Sequence, residues 1–460
     1  MKRESFGSRL GFILVSAGCA IGIGNVWKFP YICGAYGGAA FILIYLLFLI
    51  ILGIPVLVCE FAVGRGSRKS VALSFDELQS KNGKWAPLKF IGIIGCYMLM
   101  MFYTTVGGWL MYYCYKGIRG SFVNASSDNI STQFSQMLTD VPTMLFWTIL
   151  ICVIGFAVCM FGLNNGIERV TKVMMTALIL IMVVLAIRSV TMTGAGEGIR
   201  FYLIPDFHKM VESGIGNVVF AALSQAFFTL SIGIGAMLIF GSYLDQSRSL
   251  TGEAVNIMLL DTFVALTAGF IIIPACFAYG IEPGAGPSLI FITLPNIFAQ
   301  MSGGRIWAFL FFLFLTFAAL STIIAVFENL VMFNMELLGW RRKKSVLVCA
   351  ALIIILSIPC VLGFNVWSGV QLLGEGSTIM DLEDFIVSNN LLPLGSLGYV
   401  LFCTRKNGWG WDAFIKEVNT GSGMKFPKTL RGYVNYGIPA IIIVIYLKGY
   451  YDKFKDMGTG

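Results

Sequence analysis

The chain has 460 residues, of which 57% are hydrophobic and 12% charged, with a mean hydropathy of +0.82 and a net charge of +8. Soluble domains carry roughly 25% charged residues, so this composition is that of a polytopic membrane protein. With His208 the one histidine, and eleven Cys placed mostly in apolar spans without CxxC pairs, zinc chemistry, Ser/His catalysis and a disulfide framework lack their parts.

At about 20 apolar residues per crossing, eleven helices are expected, at 10–31, 38–63, 88–118, 143–162, 166–190, 215–242, 252–279, 304–338, 345–364, 379–403 and 430–447. The third and eighth are long enough to tilt or project. The start, MKRESFGSRLG, is short and charged, and no small-residue cleavage site follows its apolar run, so the first helix is expected to be retained. The amphipathic stretch from Pro287 to Gln300 is expected to form a hairpin after the seventh helix. Most Lys and Arg fall in the loops that share a side with the N-terminus, which predicts a cytoplasmic N-terminus and an outside C-terminus. The positive charge thus sets orientation, and no nucleic-acid partner is expected. Asn124-Ala-Ser and Asn129-Ile-Ser fit a glycosylation pattern that also arises by chance.

Inside the first helix, Gly18 to Pro30 reads GCAIGIGNVWKFP. A membrane helix satisfies its own backbone, so Gly22, Gly24 and the polar Asn25 mark a place where it can open. Freed carbonyls can hold a cation, and the N–H groups of the next half-helix an anion, so one stretch could grip both ends of a zwitterion. Small residues also serve close helix packing, and Gly22 and Gly24 alone do not separate the two readings. Asn25 and Lys28 at membrane depth favour a site. A dinucleotide fingerprint fails, since GxGxxG would need Gly where Trp27 stands. The sixth helix carries a second GxG in FFTLSIGIG, Phe227 to Gly235. Breaks five helices apart lie in repeats of opposite orientation, the pattern of a secondary transporter with a midplane site.

GCAIGIGNVWKFPYICGAYGGAAF, GIPVLVCEFAVGR, FFTLSIGIG, DTFVALTAGF and FAALSTIIAVFENL together resemble the neurotransmitter:sodium symporter family over nearly the whole chain, with a length similar to bacterial amino-acid members. The resemblance implies an all-α polytopic fold, with five-helix inverted repeats at 10–190 and 215–403 and helices 1 and 6 broken. A latch at 1–9, an extracellular loop at 191–214, a cytoplasmic loop at 404–429, and an eleventh helix with a short tail at 430–460 complete it. Two Na⁺ ions are implied. The first would take the Ala20 and Thr229 carbonyls, the Asn25, Thr229 and Asp261 side chains, and the substrate carboxylate. The second would take the Gly18, Ile21 and Ala318 carbonyls with the Ser321 and Thr322 hydroxyls. Oxygen donors suit a hard cation. Outside the family, Ser321 and Thr322 would read as helix back-bonding.

Asp261 resembles a position where many members carry Asn, while Ala265 stands where chloride-dependent members serve the anion. A fixed charge there predicts chloride-independent transport. Gly22 replaces the Asp of monoamine carriers, which favours an amino acid. Its carboxylate would meet the N–H groups of Ile23 and Gly24 and the Tyr103 hydroxyl. Its ammonium would meet the carbonyls of Ala20, Phe228 and Thr229 and the Ser231 hydroxyl. Leu99, Phe228, Ile234 and Val326 would line an apolar side-chain pocket.

Lys28 and Asp384 resemble the outer ion pair, with Tyr103 and Phe228 closing over the substrate, and Arg3, Tyr243 and Glu336 resemble the inner latch. Three departures stand out: Lys28 in place of Arg, which loses the bidentate fork; Phe6 and Glu336 in place of Trp and Asp; and Thr176 where Pro usually follows Gly166 in helix 5. The expected function is Na⁺-coupled import of neutral, hydrophobic or aromatic amino acids by alternating access, in the plasma membrane. A proton-coupled carrier using Asp261, or a non-transporting sensor on the same fold, remains an alternative. An intramembrane enzyme has no nucleophile–base pair to use.

Overall fold

A computed structural model describes residues 4–281 and 287–458, the side chains of 452–458 excepted. The first apolar run is split into α1 (Arg9–Ala20) and α2 (Gly24–Ala35), bent by 59°. Then come α3 (Ala39–Ser67), α4 (Val71–Leu78), α5 (Leu88–Arg119), α6 (Ser127–Thr139), α7 (Val141–Met160) and α8 (Leu163–Val190). The outer loop carries α9 (Ala195–Leu203) and α10 (Phe207–Glu212), ahead of a second split between α11 (Ile215–Thr229) and α12 (Ala236–Tyr243). The rest is α13 (Leu250–Ala278), α14 (Leu289–Gln300), α15 (Gly304–Leu337), α16 (Arg342–Leu362), α17 (Ile379–Thr404), the short amphipathic α18 (Trp411–Val418) and α19 (Lys428–Tyr451).

Nine helices among the described residues are individually long and apolar enough to cross a membrane, and the bent pair α1–α2 makes a tenth. The sixth expected span is divided into pieces of 15 and 8 residues, and neither crosses alone. The expected hairpin at Pro287 to Gln300 is corrected: Leu289–Gln300 is a single helix. Its apolar residues Leu289, Ile290, Phe291, Leu294, Ile297 and Phe298 are all buried, so one continuous face is covered. The chain turns only later, at Gly303 (φ +73°).

Proline writes a repeated feature into these helices. Five of the six π turns among the described residues, Gly24–Lys28, Leu49–Gly53, Leu289–Thr293, Val387–Leu391 and Tyr433–Gly437, end two residues before a proline: Pro30, Pro55, Pro295, Pro393 and Pro439; Leu163–Glu168 does not. Proline offers no N–H and its ring crowds the preceding turn, so that turn widens by one residue.

The core lies along α15, whose apolar window is 78% buried, while that of α19 is 28% buried. Close backbone approach builds it: a Cβ on Gly117 would lie 3.0 Å from Phe309 Cα, and one on Gly241 would lie 2.6 Å from the Phe61 carbonyl oxygen. Leu43, Leu47, Ile50, Phe146 and Leu180 are exposed on the outside of the bundle, as a lipid-facing surface requires.

Candidate functional site

The two breaks face each other in the middle of the bundle. At the first, α1 stops at Ala20, the Gly22 N–H donates to Asn25 Oδ1 at 3.3 Å, and the Asn25 N–H donates to the Gly22 carbonyl at 3.2 Å. At the second, Ser231 (φ +51°), Gly233 (φ +102°) and Gly235 (φ +75°) take left-handed conformations. Such a conformation is costly at Ser231 and persists only where the surroundings enforce it. The Ser231 hydroxyl donates to the Cys19 carbonyl at 3.2 Å, and the Gly233 N–H donates to the buried Glu60 carboxylate, so neighbouring groups tie the opened backbone in place.

Asn25, Thr229 and Asp261 converge between the breaks. Asn25 Nδ2 donates to Asp261 Oδ1 at 2.7 Å, and Thr229 Oγ1 donates to Asp261 Oδ2 at 2.9 Å. All three are buried. An intramembrane carboxylate with polar partners is the expected core of a cation site. Tyr45 and Gln225 join it from outside the sequence expectation: the Tyr45 hydroxyl donates to Thr229 Oγ1 at 3.4 Å, and Gln225 Nε2 donates to the Gly24 carbonyl at 3.2 Å.

A second oxygen cluster lies between α1 and α15. Thr322 Oγ1 is 3.2 Å from the Gly18 carbonyl, 3.3 Å from that of Ile21 and 3.4 Å from that of Ala318, and Ser321 Oγ donates to the Ala318 carbonyl at 2.9 Å. The five residues expected at the second sodium position are therefore neighbours across the first break. Hydroxyls and carbonyls alone, with no carboxylate, make a neutral donor set of the kind a monovalent cation accepts.

Between the clusters lies a cavity of about 20 Å³ lined by Ala20, Gly22, Gly24, Asn25, Leu99, Tyr103, Phe228, Ser231, Ile234, Thr322 and Leu392. That is near the size of one water, so a larger ligand requires its walls to part. The Ile23 N–H donates to the Tyr103 hydroxyl at 2.9 Å. A side chain at Gly22 would collide with that hydroxyl, and one at Gly24 with the Phe228 ring. Val326 is fully buried on α15 but is not among the residues lining this cavity.

Above it opens a larger cavity of about 240 Å³ that holds Lys28, Tyr103, Phe228 and Asp384 together. Lys28 Nζ sits 4.5 Å from the centre of the Phe228 ring, and Asp384 accepts from Ser388 Oγ at 2.6 Å. Among the described residues no ion pair joins Lys28 to Asp384 in this conformation, and a cation–π contact takes its place. At the opposite end a cavity of about 310 Å³ is lined by both Tyr243 and Glu336. Phe6 packs edge-on to Tyr243 at 5.9 Å, the Tyr243 hydroxyl donates to Glu328 at 2.8 Å, and Glu336 accepts from the Ser70 N–H and hydroxyl, both at 2.7 Å. Arg3 lies outside the described residues. Glu328, fully buried, is bridged by both Arg342 nitrogens, at 2.8 and 2.9 Å. In α8, Thr176 bonds back to the Lys172 carbonyl at 2.8 Å.

Comparison with known proteins places this geometry in context. The family model described as "Sodium:neurotransmitter symporter family" matches residues 3–133 and 122–451. A sodium-dependent transporter of Bacillus subtilis, YhdH, is 35% identical over 448 residues, covering 97% of each chain. The sodium-dependent serotonin transporter of Drosophila melanogaster is 30% identical over 78% of this chain and 64% of its own length. The crystal structure of MhsT in complex with L-phenylalanine superimposes with a TM-score of 0.87 at 35% identity, over 97% of this chain and all of that one.

Proposed function

Because the chain belongs to the sodium:neurotransmitter symporter family, and is a sodium-dependent, multi-pass membrane transporter within it, we propose that it imports neutral, hydrophobic amino acids together with Na⁺ and without chloride. The observation that carries the reading is the meeting of Asn25, Thr229 and Asp261 beside a cavity whose side-chain wall is Leu99, Phe228 and Ile234. One Na⁺ binds among those polar groups with the substrate carboxylate as a shared ligand. A second binds among the Gly18, Ile21 and Ala318 carbonyls and the Ser321 and Thr322 hydroxyls.

The substrate carboxylate takes the Tyr103 hydroxyl and the N–H groups of Ile23 and Gly24, while the ammonium takes the Ala20, Phe228 and Thr229 carbonyls and the Ser231 hydroxyl. Gly22 leaves no acidic side chain for a lone amine. The relative MhsT, crystallised with L-phenylalanine, supports an amino acid with a large apolar side chain. Because Na⁺ and substrate share a site, each raises the affinity of the other. Asp261 supplies a fixed negative charge, and Ala265, fully buried, offers no polar group to an anion.

An outer and a cytoplasmic cavity on either side of the small inner one support alternating access. Phe228 and Tyr103 separate the inner cavity from the outer one holding Lys28 and Asp384, while Phe6, Tyr243 and Glu336 close the cytoplasmic end. The distribution of Lys and Arg supports a cytoplasmic N-terminus. The test is equilibrium binding of labelled L-phenylalanine to the purified transporter in sodium chloride, sodium gluconate and potassium gluconate. Binding in both sodium media, displaced by leucine and tryptophan but not by tyramine, is expected. Binding in potassium, or only where chloride is present, contradicts the proposal.

A further inference from the structure

The inner cavity has a wall that the two broken helices do not supply. Leu392, 3% exposed, lines it from α17 alongside Leu99, Phe228 and Ile234. It follows directly on the π turn Val387–Leu391 and directly precedes Pro393. The widened turn carries the backbone of α17 against the second break. A Cβ on Gly233 would collide with the Leu392 carbonyl oxygen, and one on Gly395 with the Gly233 carbonyl oxygen. Gly233 needs to be glycine on both counts, since its φ is +102°. Pro393, Gly395 and Gly233 together let α17 reach a pocket otherwise shaped by α1, α2, α5, α11, α15 and the 230–235 break.

We propose that Leu392 is a specificity-determining residue, setting the length of side chain that the pocket accepts. The inference rests on the amino-acid reading above and deepens it. Leu99 and Phe228 belong to helices that bound the pocket elsewhere, whereas Leu392 projects from a backbone pinned by two glycine contacts. A wall pinned by backbone cannot retreat when a longer side chain enters, so its own side-chain volume sets the limit. Removing or adding methylene groups at such a wall shifts relative affinities by about tenfold or more, because pocket and ligand volumes trade directly.

The experiment is competition by unlabelled L-valine, L-leucine, L-phenylalanine and L-tryptophan against a labelled amino acid bound in the presence of sodium. It compares the wild type with Leu392→Ala, Leu392→Phe and Leu394→Ala, the last on the same helix but off the cavity. Leu392→Ala is expected to move the tryptophan-to-valine affinity ratio about tenfold toward tryptophan. Leu392→Phe moves it toward valine, and Leu394→Ala leaves it within about twofold. Unchanged ratios in both Leu392 variants, or an equal loss for all four amino acids, overturn the inference and assign Leu392 to packing alone. If Leu392→Ala does not fold, Leu392→Phe decides alone by the same criterion. A wild type that binds none of the four in sodium defeats the amino-acid reading itself, and the inference with it.

Discussion

Asn25 and Asp261, 236 positions apart in sequence, are joined by a 2.7 Å hydrogen bond at the point where the first helix opens. The bond places a carboxylate beside freed backbone in the middle of the bundle, and Thr229 holds its other oxygen at 2.9 Å. On the proposed reading, a negative charge fixed there attracts a cation and stands in for a diffusible counter-anion.

Asp261→Asn removes that charge while keeping an oxygen ligand. Sodium affinity is expected to fall at least about tenfold, since an intramembrane charge interacts strongly with a bound cation. Sodium titration of amino-acid binding measures it. An unchanged sodium affinity would show that Asp261 is not part of the cation site.

Thr322→Val deletes the hydroxyl that lies within 3.4 Å of the Gly18, Ile21 and Ala318 carbonyls. One lost oxygen ligand is expected to weaken sodium binding about tenfold with little loss of fold stability, because the carbonyls turn to helical partners or water. Binding of ²²Na⁺ to the variant, with thermal unfolding in parallel, separates the two effects.

Gly233→Ala forces a side chain into a φ of +102° and against the Leu392 carbonyl. A cost of about 2–4 kcal/mol is expected, and unfolding several degrees lower should register it. A Tm equal to that of the wild type would mean that the break relaxes at no cost.

Arg342→Ala strands the fully buried Glu328, which both Arg342 nitrogens now contact. Removing one partner of a buried pair costs about 3–5 kcal/mol. Arg342→Ala combined with Glu328→Gln should recover most of that loss, and with Glu328→Gln alone it closes a double-mutant cycle whose coupling energy two independent effects would not produce.

What the sequence disclosed depended on how far each signal departs from an apolar background. Gly22, Gly24 and Asn25, and then Ser231 to Gly235, are conspicuous inside hydrophobic runs, and both mark real openings of the helix. The family motifs associate Thr322 with Gly18 across 304 positions of sequence. Tyr45 and Gln225 carried no such contrast, because a tyrosine or glutamine among Phe and Leu reads as packing until its partner is seen. Glu60 stands in the GIPVLVCEFAVGR stretch, yet the second break explains what its carboxylate does: it meets the backbone N–H groups of Gly233, Met237 and Leu238.

Side-chain direction was the other hidden quantity. Lys28 and Asp384 share a cavity, yet Lys28 turns to the Phe228 ring; spacing along a helix does not determine a rotamer. Leu392 on α17 carries no signal of its own, being one of two leucines between Asn390 and Pro393. The usable signal was Pro393 in mid-span: four further π turns precede a proline in the same way, although Pro274 and Pro359 lie inside helices with no widened turn.

The most direct test of the central claim is uptake of labelled L-phenylalanine into proteoliposomes under an inward sodium gradient or an equal potassium gradient, with gluconate as the only anion. Accumulation above the external concentration with sodium, and none with potassium, is the predicted result. Equilibration without accumulation, or accumulation that appears only when chloride is restored, would contradict the account of a sodium-coupled carrier whose counter-charge is Asp261.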